Sequence, residues 1–294
     1  MKKLFVLLTV LSTVVFISCE KDETDSVNIL SDTEKAVITN DAAVDNVAEA
    51  ADYEVDYFTG SSTAITGISG TKGYFPPRPR YVDGVGPAVT VDPVGDVWPK
   101  TITIDYGQGV ELVNGRILSG QIIIVVSAPP LTNGATREIT YQNFYVDSTN
   151  VAGGGVCTFT GTDTTQRVFA TNSDLTFTFS DESVLYRHGE HTRTLADGFE
   201  TVYDHSDDLI LITGFVNYTT EDDLTFSKTI IEPLTKTGEC RYIVEGVVEF
   251  TLDDEVFAIL DYGDGTCDDI ATITKDGETI QITINRRRGF PQHH

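Results

Sequence analysis

The chain has 294 residues and a formal net charge of −25. A balance this acidic repels polyanions and so argues against nucleic acid and anionic head groups as partners. The length suffices for one domain with a sizeable core once leader and tether are set aside.

Lys2 and Lys3 precede an apolar run from Leu4 to Ile17, which closes on Phe16-Ile17-Ser18-Cys19. This ending resembles a bacterial lipobox, which makes residues 1–18 a signal peptide and Cys19 the lipidated first residue of the mature protein. The run is shorter than the roughly 20 apolar residues of a membrane-crossing helix. Acyl chains on Cys19 would each contribute about 0.8 kcal/mol per buried CH2 and tether the protein to the membrane. Glu20-Lys21-Asp22-Glu23 is similar to the export tag of surface-exposed lipoproteins of the Bacteroidota, implying an outer-membrane lipoprotein on the cell surface. A plain solvated tether fits the same four residues.

Residues 19–58 read as an acidic tether and helix, with twelve Asp or Glu between Glu20 and Tyr57 against Lys21 and Lys35. Ser31-Asp32-Thr33-Glu34 has the capping-box pattern. Val37, Val44, Ala48, Ala51 and Val55 then recur at helical spacing, predicting one amphipathic helix over about 32–54. It is expected to pack on the following domain, with partner binding as its alternative role. Residues 59–86, rich in Gly, Ser and Pro, read as a long loop.

From Val89 the period changes to two. Thr101 to Ile104, Gln121 to Val126, Glu138 to Val146, Leu175 to Phe179, Leu209 to Val216, Leu224 to Ile231, Tyr242 to Leu252, Val256 to Leu260 and Thr279 to Ile284 alternate or nearly so. They predict a mainly β fold: a single antiparallel domain of about a dozen strands over 87–286, a sandwich or an open barrel-like sheet, with residues 287–294 as a tail. Asp276-Gly277 signals a type I′ turn that would set Lys275 against Glu278, Ile273 against Ile280 and Ala271 against Ile282. Asn133-Gly134 predicts a second hairpin and Asn114-Gly115 a third. Thr103-Ile104-Asp105-Tyr106-Gly107-Gln108-Gly109 is echoed by Ile259-Leu260-Asp261-Tyr262-Gly263-Asp264-Gly265, which suggests two strand-ending hairpins of similar geometry.

Pro99 to Gly107, Leu211-Ile212-Thr213-Gly214, Glu239-Cys240-Arg241 and Leu260-Asp261-Tyr262-Gly263-Asp264-Gly265-Thr266-Cys267-Asp268 are similar to uncharacterised lipoproteins of the Bacteroidota. The likeness spans roughly residues 36–285. That family has no established activity, so it implies an address more than a reaction. Its members often carry a cysteine after the first motif, where this chain has Val110.

With Cys19 lipidated, Cys157, Cys240 and Cys267 remain, and an oxidising exterior permits one bridge. Cys240 with Cys267 is favoured, since both flank one strand system; Cys157 is then free, or is the true partner of one of them. Asp261, Asp264, Asp268 and Asp269 in a Gly-rich turn could coordinate Ca2+, an oxygen-seeking cation, although Asp and Gly are also what turns require. His188 and His191 would point to opposite faces of a strand, which is wrong for a shared metal. His205, between Asp204 and Asp207, could be oriented by a carboxylate, but such clusters on polar turns are usually solvated.

Phe75, Arg78, Arg80 and Tyr81 combine aromatics, stiff prolines and arginines in an acidic protein, a composition suited to docking a partner. Tyr141, Phe144 and Tyr145 could form a sugar platform. No nucleophile elbow, zinc-protease helix or phosphate loop occurs. The sequence therefore favours a surface binding or structural module holding a glycan or protein over an enzyme. The alternative is a secreted hydrolase of polysaccharide or peptide using a carboxylate pair.

Overall fold

A computed structural model describes residues 29–60, 81–129, 131–161, 166–199, 201 and 206–284. The leader with Cys19, the segment carrying Phe75, Arg78 and Arg80, His205, and Arg286 to Arg288 lie outside the described residues.

The capping box forms as expected: the Ser31 amide donates to Glu34 Oε2 at 2.7 Å and the Glu34 amide to Ser31 Oγ at 3.3 Å. Helix α1 (Asp32–Gly60) continues past the expected end at 54, because nothing before Gly60 breaks it. The added turn brings Asp56 and Thr59 into register with the sheet.

Thirteen strands follow among the described residues: β1 (Ala88–Asp92), β2 (Lys100–Glu111), β3 (Ile117–Val126), β4 (Thr136–Val146), β5 (Thr149–Thr160), β6 (Arg167–Thr178), β7 (Val184–Asp197), β8 (Leu209–Thr220), β9 (Thr225–Thr237), β10 (Glu245–Leu252), β11 (Glu255–Asp264), β12 (Ile270–Lys275) and β13 (Glu278–Thr283). Each pairs antiparallel with the next in one continuous sheet, so the open single-sheet alternative holds and a two-sheet sandwich does not form. The β12–β13 register is the expected one, with Asp276 and Gly277 at φ 52° and 83°. Asn114-Gly115 turns β2 into β3. Asn133-Gly134 lies in a longer connection, since pairing stops at Val126 and resumes at Thr136.

The helix is the sheet's core. Its side chains reach Tyr106 on β2, Arg137 on β4, Arg193 on β7, Tyr218 on β8, Lys228 on β9 and Lys275 on β12. Strands lie about 4.8 Å apart, so a flat sheet would put β2 and β12 about 48 Å from each other. One helix about 10–12 Å across touches both only if the sheet curls around it. Val37, Val44, Ala51 and Val55 meet Ile102, Ile104, Ile122, Phe144, Val216 and Phe250 in a single buried cluster.

Close approach of neighbouring strands within the curl requires glycine at particular points. Gly214 has φ 126°, and a Cβ there would lie 2.0 Å from the Glu190 carbonyl oxygen. Gly153 on β5 has φ 94°, with the Asp174 carbonyl oxygen 2.2 Å from the place of its missing Cβ. Both strands bend where no side chain fits.

The second copy of the repeated motif closes β11 at Asp264, as expected, whereas the first lies inside β2, which runs on to Glu111; the two share one local device. Asp105 Oδ1 accepts the Gly107 amide at 2.8 Å and Asp261 Oδ1 the Gly263 amide at 2.9 Å, each glycine having positive φ. The register of β2 against β3 shifts at this point. In the first copy the bulge turns Tyr106 inward, where its hydroxyl donates to Glu54 Oε2 at 2.6 Å.

Cys240 and Cys267 form a disulfide spanning 27 residues, which leaves Cys157 free and buried. Replacing both bridged cysteines by serine is expected to lower urea stability by about 3 kcal/mol. An unchanged midpoint and slope would contradict a stabilising bridge.

Candidate binding groove between helix and sheet

The acids of α1 are interleaved with its apolar stripe. Glu34, Asp41, Asp45, Asp52 and Asp56 are spaced by seven and four residues, so they share the face carrying Val37, Val44 and Ala48. Opposite them the concave face of the sheet supplies cations. Lys275 Nζ meets Glu34 at 2.6 Å. Lys228 Nζ meets Asp41 at 2.9 Å and also pairs with Asp45, while Tyr218 donates to Asp41 at 2.9 Å. Arg137 and Arg193 take the two oxygens of Asp56 at 2.8 and 3.1 Å. Burial alone would raise Asp56, but the two guanidinium groups outweigh it and hold the carboxyl below its ordinary range. Lys228, between two carboxylates, stays protonated despite its burial.

Between residues 45 and 56 the helix stands off the sheet and leaves a cavity of about 470 Å3. Its sheet walls come from Arg137, Ile139 and Tyr141 on β4, Gly154, Gly155 and Cys157 on β5, Phe169, Thr171, Ser173 and Leu175 on β6, Arg187, His191 and Arg193 on β7, Ile212 on β8 and Lys236 on β9. Strand register places them in rows: Leu175 pairs with Arg187, Ser173 with Gly189, Thr171 with His191 and Phe169 with Arg193. From Arg187 to Arg193 the groove follows six residues of β7, about 20 Å at 3.3 Å each. Arg193 stands at the open end with 46 % of its side chain exposed, whereas Arg187 is 8 % exposed.

Among the described residues two buried arginines, Arg167 and Arg187, have an Nε without a partner, and Arg187 is the one that lines the groove. Its Nη1 donates to Ser173 Oγ at 3.3 Å, and its Nε has no hydrogen-bond partner. A buried donor without an acceptor costs about 1–3 kcal/mol, more when charged, so each native case calls for an explanation. His191 is driven down to about 4 by burial and by the charges of Arg187 and Lys228, and is neutral in the groove. Asp52 lies at the open rim. The groove walls, and then neighbouring Asp56, push its carboxyl up to about 6.

The sequence-derived candidates lie elsewhere. Asp261, Asp264 and Asp268 each accept the amide two residues on, at 2.9, 3.3 and 3.0 Å, so they serve their own turns. Among the described residues no group of three or more His, Cys, Asp or Glu is placed to hold a metal ion, which removes the basis for a Ca2+ site at Asp261, Asp264, Asp268 and Asp269. Tyr81 donates to Glu54 at 3.1 Å and bridges to Leu112, so it closes the helix–sheet core rather than offering a partner anchor. Tyr141 and Phe144 are buried, and only Tyr145 of that trio is exposed, so they form no sugar platform. His188 and His191 do face opposite sides: His188 Nδ1 lies 2.8 Å from Asp174, while His191 lines the groove.

Sequence reading missed Arg137, Arg187, Arg193 and the helix acids as one constellation. The seven-and-four spacing of those acids was the available signal. Comparison with protein families, curated proteins and solved structures finds no match.

The raised Asp52 fixes a sign. Between about pH 4 and 6 the folded chain binds this proton more tightly than the unfolded chain, so raising pH through that window removes stability. Asp52→Asn is therefore expected to melt higher than wild type at pH 7.5 and level with it at pH 4. A difference independent of pH, or of opposite sign, would contradict the shift. Tyr106→Phe takes a donor from the buried Glu54 carboxylate and is expected to cost about 1–3 kcal/mol in urea denaturation. Tyr186→Phe, at an exposed position, serves as the neutral control.

Proposed function

We propose that the chain is a lipid-anchored cell-envelope binding module, tethered to the outer membrane through Cys19, displayed at the surface and holding a small ligand in the groove between α1 and the sheet. The anchor reading is supported by Lys2, Lys3, the apolar run and Phe16-Ile17-Ser18-Cys19. The binding reading is carried by one observation, a buried Arg187 guanidinium that lines a cavity of about 470 Å3 and has no carboxylate partner among the described residues. Pockets of this size that join apolar walls to a few convergent polar groups are where small ligands bind. Phe169, Leu175 and Ile212 supply the apolar part; Arg187, Ser173 and Thr171 supply the polar part. Such a ligand is a small molecule or the end of a glycan, since the groove is too narrow for a folded partner.

A hydrolase reading has one feature in its favour. Asp52 titrates near 6 while Asp56, one helical turn on, stays ionised, and such divergence separates acid from base in carboxylate enzymes. Both Asp56 oxygens, however, are held by Arg137 and Arg193. The carboxylate that would attack or activate water is thus committed to holding the helix, and the groove is better suited to binding.

Two experiments test this reading. A palmitate analogue fed to expressing cells should label the wild-type chain and not Cys19→Ala; equal labelling contradicts the anchor. In a thermal-shift screen of sugars, organic acids and amino acids, compounds that raise the melting temperature should lose their effect in Thr171→Trp, which fills the groove. Stabilisation that survives in this variant places binding elsewhere.

A further inference from the structure

Resting on the groove as the binding site, we infer that it takes a small organic monocarboxylate, its carboxylate held by the Arg187 guanidinium and its body lying over Leu175 and Thr171 toward Phe169. Ser173 occupies Nη1, the nitrogen on the Cδ side of the guanidinium. The Arg187 Nε is shielded from solvent and has no acceptor, so the protein does not saturate the guanidinium, whose planar fork matches a carboxylate. Arg187 is buried at the closed end of the groove.

The surrounding charges select the valence of the ligand. Arg137 and Arg193 are neutralised by Asp56, and Lys228 by Asp41 and Asp45. Arg187 has no carboxylate within ion-pair distance among the described residues. Arg187, with no carboxylate partner of its own, suits a carboxylate; a phosphate dianion would add repulsion from Asp45 and Asp52, which also line the groove. Along the groove from Arg187, Ser173 and Thr171 offer hydroxyls, and Phe169 and Ile212 offer an apolar face. The body is therefore elongated, polar in its middle and apolar at its outer end.

The test uses the mature chain with isotope-labelled arginine and backbone, titrated at pH 7 with 4-phenylbutyrate, decanoate, their neutral amides and phenyl phosphate. Both acids are expected to shift the amides of Ser173, Thr171 and Phe169, to move the Arg187 Nε–Hε resonance downfield, and to bind at least tenfold more tightly than their amides. Arg187→Gln should remove that tenfold difference while keeping the wild-type melting profile; if it fails to fold, the wild-type Nε–Hε shift decides. Equal affinity of acid and amide in the groove, or tighter binding of phenyl phosphate, overturns the carboxylate assignment and leaves the groove as a binding site. Absence of groove shifts with every probe, amides included, overturns both this assignment and the binding reading.

Discussion

The acidic face of α1 and the cationic concave face of the sheet depend on each other. Asp41 and Asp45 share Lys228, Asp56 holds Arg137 and Arg193, and Glu34 holds Lys275. These contacts reach from β4 to β12 and lie beside the apolar stripe of the same helix, so charge pairing and hydrophobic burial fix one helix position together. Breaking one partner of a buried pair leaves an uncompensated charge, which costs far more than the intact pair is worth. Registry is therefore the best account of what the pairs do: an apolar stripe alone would let the helix slide or rotate inside the curl, and the alternating acids do not.

The groove follows from the same constraint. Where the helix face turns from Val44 to Asp52 and Asp56, long side chains hold helix and sheet apart, and a cavity opens between them. Arg187 then differs from the other inward cations. Lys228, Arg137, Arg193 and Lys275 each meet a helix carboxylate, whereas Arg187 donates to a serine hydroxyl and its shielded Nε has no acceptor. A guanidinium that lines the groove and, among the described residues, faces no carboxylate within ion-pair distance is what supports the proposal of an anionic ligand.

Alternation made most of the sheet legible, and the β12–β13 hairpin was legible to the residue because Asp276-Gly277 admits one turn geometry. β5 and β7 were not read as strands, and both line the groove. β5 carries Gly153, Gly154 and Gly155 where it bends, so it lacks side chains to alternate. β7 turns Arg187, His191 and Arg193 inward, so its inner face reads as polar. The helix was expected to pack through its apolar residues, and its acids were given no inward role because charge is ordinarily solvated. Only the facing cations, scattered over four strands distant in sequence, show that it is not. Local rules failed where the molecule departs from a purely apolar core, which is where function is expected.

A double-mutant cycle on Asp41→Asn and Lys228→Gln, read by urea denaturation at pH 7, tests the central claim most directly. The account predicts non-additive effects with a coupling energy of at least about 1.5 kcal/mol, since each change strands the other's buried partner. Additivity within about 0.5 kcal/mol would mean that the pair does not hold the helix in the sheet.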